Sequence, residues 1–308
     1  EVRMYFFCSW VMDWQNDILE KIKILFRGIG QVMFQNNALS GGLMLVGVLL
    51  NSWQMALLAV AGNIVGTLTA YLFGYSREDI ENGLYGFNGT LVGIAIGVFM
   101  SITLPSLLLL IVVSCLSTWI VRLFSLQRFI SGFTAPFILS VWILLFVCSC
   151  WFPSLLLKSE NTAGTQAFAF LQSFSLNIGQ VMFQGGAVLT GLFFLLGILV
   201  NSRVNAVYTV LGALLPIPVA LLAGVESAVL NAGLMGYNGV LCAIALGDKT
   251  WSGGVYAVFS VLLSVFLQLL GMDVGITTLT APFVFSVWIT VGIRYMLLTL
   301  FPAKRKVA

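Results

Sequence analysis

The chain has 308 residues, 60% of them hydrophobic and only 8% charged, with 14 Lys and Arg against 11 Asp and Glu for a formal net charge of +3. Soluble domains carry about a quarter of their residues as charged groups, so this chain lacks the polar surface to enclose so large an apolar content in water. It reads as an all-α integral membrane protein. No His is present, so a Ser-His-Asp triad lacks its base. No Walker loop or Rossmann fingerprint can be found. The five cysteines (Cys8, Cys115, Cys148, Cys150, Cys242) show no metal spacing and sit mostly in apolar runs, where Cys behaves as a small hydrophobe. The composition therefore implies neither an enzyme nor a metal, cofactor or nucleic-acid partner.

In chain order, residues 12–31 are mixed in polarity and end near Gly30, fitting neither a loop nor a spanning helix. Apolar runs follow at about 40–50, 53–73, 89–100, 103–121 and 130–152. After a linker at 156–164, residues 165–181 repeat the mixed pattern, and apolar runs recur at about 187–200, 204–223, 238–247, 252–270 and 282–301. Several approach the ~20 residues needed to cross ~30 Å of hydrocarbon. A helix that ends part-way across leaves its last carbonyls unpaired, which is tolerated at membrane depth only against protein or a polar cavity. Segments 12–31 and 165–181 are accordingly expected to be half-spanning pore helices, an interfacial amphipathic helix being the plainer alternative.

Asn51-Ser52 and Asn201-Ser202 are polar breaks inside two of the apolar stretches. Counted as turns, they give five spans in each half. Lys and Arg in short loops stay on the cytoplasmic side, and the five-span count is the one that separates the charges. It puts Arg3, Lys21, Lys23, Arg27, Arg77, Arg122, Arg128, Arg203, Lys249, Lys304, Arg305 and Lys306 on one side. Only Lys158 falls on the other, and Arg294 stays undecided. An odd count inverts the second half relative to the first. The expected topology is ten transmembrane helices in two inverted five-helix repeats (1–155 and 165–308), with both termini cytoplasmic. The first residue is Glu1, which leaves room for a short missing leader, and the apolar run from Tyr5 to Met12 is too short for a signal-sequence core.

The halves also repeat in detail. Gly30-Gln31-Val32-Met33-Phe34-Gln35 returns about 149 residues later as Gly179-Gln180-Val181-Met182-Phe183-Gln184. Gly83-Leu84-Tyr85-Gly86-Phe87-Asn88-Gly89 returns as Gly233-Leu234-Met235-Gly236-Tyr237-Asn238-Gly239, and Thr134-Ala135-Pro136-Phe137 as Thr280-Ala281-Pro282-Phe283, each of the last pair leading to Ser-Val-Trp. Paired repeats of this kind place a transport site at their junction. The acidic residues lie almost wholly near the ends of the spans, where coupled transporters would need one inside the bundle. Amides, hydroxyls, aromatics and glycines suit a neutral polar solute.

These six motif copies, in order over about residues 12–300, resemble the urea transporter family, and the compact loops look most like a bacterial member. The resemblance implies a homotrimeric channel in the plasma (inner) membrane, surrounded by lipid, each protomer passing urea without coupling through its own pore. Urea is flat and neutral, with N–H donors around one carbonyl, so a site for it covers the faces with apolar groups and lines the edges with acceptors. By resemblance, Gln31 and Gln180, with carbonyls at and near Val32 and Val181, form a ladder of oxygens. Phe34 with Leu91 and Phe183 with Leu241 cover the faces, and Thr134 and Thr280 meet at the narrow midpoint. Taken alone, each Phe or Leu reads as helix packing and each Thr as bonded to its own helix. The six repeated glycines read as packing glycines, Pro136 and Pro282 as helix starts, and Asn88 and Asn238 as caps or bridges. A channel for another small neutral solute (ammonia, water, short amides) and an ion-coupled secondary transporter remain the alternatives.

Overall fold

The computed structural model describes residues 2–127, 129–157 and 166–300, with side chains from Asp17 onward. Most of the 156–164 linker, residue 165, Arg128, Lys158 and the basic C-terminal residues 304–306 lie outside the described residues, as do the side chains of Arg3 and Cys8. Among the described residues the structure is helical, apart from one isolated antiparallel bridge between Met100 and Leu156.

The first half contains α1 (Val2–Gln31), α2 (Ala38–Asn51), α3 (Trp53–Leu72), the short α4 (Arg77–Glu81), α5 (Gly86–Phe99), α6 (Leu104–Leu126) and α7 (Ala135–Trp151). The second contains α8 (Phe170–Gly179), α9 (Leu189–Asn201), α10 (Arg203–Leu214), α11 (Pro216–Leu222), α12 (Ser227–Asn231), α13 (Tyr237–Leu246), α14 (Trp251–Asp273) and α15 (Ala281–Leu300). Residues 203–222 form one 20-residue apolar stretch that Pro216 interrupts, since proline offers no N–H to the turn behind it. Among the described residues, five helices, that stretch included, are long and apolar enough to cross a membrane. Five more are apolar but only 10–17 residues long.

The polar breaks at Asn51-Ser52 and Asn201-Ser202 are helix corners. Ser52 is extended (φ −159°, ψ 116°) and ends α2 while its hydroxyl accepts from Met55 N to start α3. Ser202 does the same between α9 and α10, accepting from Asn205 N. A serine fits here because its side-chain oxygen replaces the backbone acceptor that the first turn lacks.

Two segments begin elsewhere than their polarity suggested. α1 runs back to Val2, well before residue 12. α8 starts at Phe170, five residues after 165, because the preceding backbone is held extended from a distance. The Asn231 amide accepts from Ala169 N and donates to Ala167 O, both at 2.8 Å, mimicking a neighbouring strand.

Burial is inverted relative to a water-soluble protein. Leu72, Leu222, Phe146 and Phe266 are exposed on the outside, whereas Ser114, Ser117, Thr118, Ser260 and Ser264 are fully buried. No Asp, Glu, Lys or Arg is buried among the described residues. That is the distribution expected in lipid, where hydroxyls pack between helices and charges stay out. Together with the long apolar helices it describes a membrane-embedded, multi-pass protein. Within each half, glycines bring two helices backbone to backbone: a Cβ on Gly62 of α3 would lie 2.1 Å from Gly89 O of α5, and one on Gly212 of α10 would lie 2.5 Å from Gly239 O of α13. Gly83 and Gly233 serve a different purpose from packing alone, occupying left-handed turns at φ 75° and 73°.

The halves pack on each other through α2 and α9, and their polar contacts are reciprocal. Asn51 Oδ1 accepts from Gly186 N at 3.0 Å, while Asn201 Nδ2 donates to Gln35 Oε1 at 2.9 Å. Trp142 Nε1 donates to Thr277 O at 2.8 Å, and its counterpart Trp288 donates to Ser131 O at 2.9 Å.

Candidate functional site

Each Gly-Gln-Val-Met-Phe-Gln segment ends a helix in the same way. Gln35 N donates to Gly30 O and Phe34 N to Gln31 O, both at 3.0 Å; Gln184 N donates to Gly179 O and Phe183 N to Gln180 O, at 3.1 and 3.0 Å. This pair of bonds closes a helix around one left-handed residue, a place usually given to glycine. Here Phe34 (φ 61°) and Phe183 (φ 60°) take it. A bulky residue in this region costs about 1–3 kcal/mol and points to a site the surroundings hold in place. Part of the hold is the second Gln of each motif: Gln35 Nε2 donates to Met33 O at 2.6 Å and Gln184 Nε2 to Met182 O at 2.5 Å, both side chains fully buried.

The first Gln of each motif is presented differently. Gln31 Nε2 donates to Asn82 O and Gln180 Nε2 to Ala232 O, each at 2.9 Å. With the amide nitrogens anchored, both Oε1 atoms are left as acceptors without a protein donor among the described residues. The carbonyls of Val32 and Val181 likewise receive no donor there. Unpaired carbonyls at a helix C-terminus carry the negative end of its dipole, so each helix end offers a short row of oxygens to a donor.

Two cavities open beside these ends. One, of about 580 Å³, is bordered by Gln31, Val32, Phe34, Phe87, Phe133 and Thr134 among others. The other, of about 550 Å³, is bordered by Gln180, Phe183, Tyr237, Gln268, Thr278 and Leu279 among others. Each left-handed phenylalanine meets aromatic edges that include a ring from the opposite half. Phe34 lies 6.0 Å from Phe283 and 5.9 Å from Phe133, and Phe183 lies 6.0 Å from Phe137 and 6.1 Å from Phe99, all edge-to-face.

Between the halves, Thr134 Oγ1 and Thr280 Oγ1 are 2.7 Å apart, both nearly buried. Each threonine stands at the N-cap position of its helix, and its hydroxyl engages the other threonine and not its own helix. Asn88 Oδ1 instead takes Phe137 N at 3.1 Å, and Asn238 Oδ1 takes Phe283 N at 3.2 Å. The remote asparagines thus release the two hydroxyls for each other. Phe133 (φ 44°) and Leu279 (φ 50°), just before the threonines, are also left-handed.

The residues expected from the sequence fall into two groups. Gln31, Val32, Phe34 and Thr134 border the first cavity, and Gln180 and Phe183 the second. Thr280 joins them through Thr134, and Val181 through its unpaired carbonyl. Leu91 and Leu241 are fully buried in the hydrophobic core and border neither cavity. Sequence reasoning missed the aromatic residues one helical turn before them, Phe87 and Tyr237, which do border the cavities. It also missed Phe137 and Phe283. All four were visible inside the repeated motifs, as their aromatic members.

A family model described as urea transporter matches residues 22–295. Urea transporter 1 of Rattus norvegicus is 30% identical over 265 residues, covering 80% of this chain and 68% of the relative. Urea transporter 1 of Mus musculus is 30% identical over 274 residues, with the same coverage. The protein of the same name from Ovis aries is 30% identical over 280 residues, covering 85% of this chain and 72% of its own length. With the family match spanning nearly all of a membrane-embedded helical chain, this chain belongs to the urea transporter family.

Proposed function

We propose that the chain is a passive channel for urea, with one pathway per protomer running from the first cavity past Thr134 and Thr280 into the second. The observation that carries this reading is the duplicated left-handed phenylalanine beside a row of unpaired oxygens. A ring covers the flat face of the solute while Gln31 Oε1, Val32 O, Gln180 Oε1 and Val181 O accept its N–H groups. Urea has no charge to compensate, which accords with the absence of buried ionised groups among the described residues. The two hydroxyls supply hydrogen bonds at the midpoint, where the solute has left one ring and not reached the next.

In the same reading the ten apolar helices cross the membrane as two inverted repeats, with α1 and α8 as pore helices. The reciprocal contacts across the halves support a two-fold relation, as in any isologous pairing. The short helices α2, α5, α7, α9 and α13 rise only ~15–26 Å, so the turns at their ends complete the crossing. Both termini are cytoplasmic, the membrane is the plasma (inner) membrane, and protomers assemble as trimers in lipid.

Affinity for a solute held by a few net bonds of ~1 kcal/mol each should be weak, on the order of millimolar. Stopped-flow urea entry into proteoliposomes tests the reading. Urea entry no faster than into empty liposomes would refute transport, and accumulation driven by a sodium or proton gradient would refute a passive channel.

A further inference from the structure

The two cavities occupy matching places in the halves but differ chemically at three matching positions. Val121 and Gln268 hold the same register in α6 and α14, both 23 residues long. Gly132 and Thr278 each stand two residues before the paired threonines, and Phe87 and Tyr237 each directly precede a capping asparagine. All six border their respective cavities. The first cavity is therefore apolar at these positions, and the second carries a hydroxyl, an amide and a phenol.

The amide and the hydroxyl, joined by Asn238, form a hydrogen-bonded cluster with one loose end, while the phenol is bonded elsewhere. Phe283 N fixes Asn238 Oδ1 as an acceptor, which makes Asn238 Nδ2 the donor to Gln268 Oε1 at 3.1 Å. Thr278 Oγ1 donates to the same oxygen at 2.9 Å. Tyr237 Oη has one proton, and its shortest bond, 2.6 Å, gives that proton to Leu279 O. Gln268 Oε1 thus has both lone pairs filled, so the amide cannot flip without opposing donor to donor. Its Nε2 is left with no protein partner among the described residues, on a side chain only 4% exposed that borders the cavity. Gln180, whose amide nitrogen is anchored to Ala232 O and whose Oε1 has no protein donor among the described residues, borders the same cavity, so this cavity presents both halves of a match to a molecule carrying N–H groups and one carbonyl.

We propose that Gln268 Nε2 is the donor that receives the solute's carbonyl oxygen in the second cavity, and that the first cavity, with Val121 in that place, has no equivalent. The two mouths then select differently: the first by shape and N–H count, the second by the acceptor strength of the atom doubly bonded to carbon. Gln268 is a specificity-determining residue of this chain. The assignment rests on the reading of the protein as a urea channel.

The test compares urea with thiourea, which keeps the planar frame and the N–H groups but carries a larger and much weaker acceptor. Thiourea is read as a permeant or as an inhibitor of urea entry. Proteoliposomes carry wild type, Gln268→Met or Gln268→Glu. Gln268→Met should lower urea flux about fivefold relative to thiourea, the factor that one net hydrogen bond of ~1 kcal/mol represents. Gln268→Glu keeps an oxygen for Asn238 and Thr278. Its neutral acid still donates and its carboxylate does not, so urea flux should fall as pH rises through the pKa of the new acid. Equal slowing of urea and thiourea in Gln268→Met, with no pH dependence in Gln268→Glu, would make Gln268 a purely structural strut and overturn the proposal. Wild-type protein that passes no urea would instead overturn the channel reading beneath it.

Discussion

In each half one asparagine ties the first helix of the repeat, α1 or α8, to the helix behind it, but the two asparagines come from opposite members of the pair. In the first half Asn63 on α3 donates to Leu25 O of α1 at 3.0 Å and to Thr90 Oγ1 at 3.0 Å. In the second, Asn177 on α8 donates to Ala213 O of α10 at 2.8 Å. Residue 213 is the sequence counterpart of 63, and 177 is the counterpart of Gly28. Each junction therefore has one amide and one small residue, on exchanged sides. The space is used once only: a Cβ on Gly28 would lie 2.6 Å from Asn63 Nδ2. What the duplicated scaffold preserves is a buried amide and the volume to hold it, and either helix can supply them.

The sharpest way to break this comparison is to put an amide on both sides. Gly28→Asn with Asn63 retained overpacks a buried junction and should cost ~1–3 kcal/mol or more, read as a lowered melting temperature of the detergent-solubilised protein. The double change Gly28→Asn/Asn63→Ala transplants the arrangement of the second half and should recover much of that loss. If the double variant melts no higher than Gly28→Asn alone, the exchange is coincidence.

The threonines are where the halves meet with identical residues, so the comparison there predicts equality. Thr134→Val and Thr280→Val each keep the shape and delete one hydroxyl. The double variant should pass urea roughly tenfold more slowly, corresponding to ~1.4 kcal/mol on the highest barrier, while staying folded. The two single variants should be slowed alike. Undiminished flux through a well-folded double variant would leave the hydroxyl pair a mere strut between α7 and α15.

A smaller effect is expected at the rings. Phe34→Ala and Phe183→Ala each remove a face contact and two edge-to-face neighbours, interactions of ~0.5–1.5 kcal/mol, so discrimination between urea and larger or non-planar solutes should relax several-fold. Wild-type selectivity in both variants, measured with a solute series, would remove the rings from the pathway.

The smallest expected effect is none at all. Urea flux should be flat between pH 5 and 8, since no His is present and the reading places no titrating group in the pathway. At the surface, a hydrogen bond from Lys23 holds the Glu20 carboxyl below its ordinary range, and bonds from the Thr250 hydroxyl and backbone do the same for Asp248. A lowered carboxyl stabilises the fold above its ordinary pKa and loses that contribution as pH falls through the lowered one. Both groups therefore act on the acid side of the window. A bell-shaped flux profile inside it would contradict the proposed chemistry.

Much of this organisation was legible because duplication doubles every signal. The Asn-Ser breaks became helix corners, and the repeated Thr-Ala-Pro-Phe segments brought two hydroxyls within 2.7 Å. What stayed hidden depends on partners far along the chain. Nothing near Phe170 announces that Asn231 holds the preceding backbone extended. Asn88 and Asn238 read as caps or bridges, but nothing in the sequence says that the N–H groups they take are those of Phe137 and Phe283, which leaves the threonine hydroxyls to each other. The left-handed phenylalanines were illegible for another reason: turn rules expect glycine there, and only the surrounding packing makes an aromatic tolerable. Leu91 and Leu241, reached by the same motif spacing, lie fully buried one turn behind Phe87 and Tyr237, the motif's aromatic members that border the cavities.

The bond between Thr134 and Thr280 has one more consequence. Each oxygen can be donor or acceptor, so the bond reverses by rotating two hydroxyls, without moving either helix. A molecule arriving from either side meets the same pair and finds whichever polarity it needs. The narrowest point of the proposed pathway thus has no handedness. Unequal mouths can change how strongly solute is held on each side, but a passive pore obeying detailed balance cannot turn that into a net flow. In proteoliposomes loaded or bathed with the same urea concentration, influx and efflux should follow the concentration ratio alone.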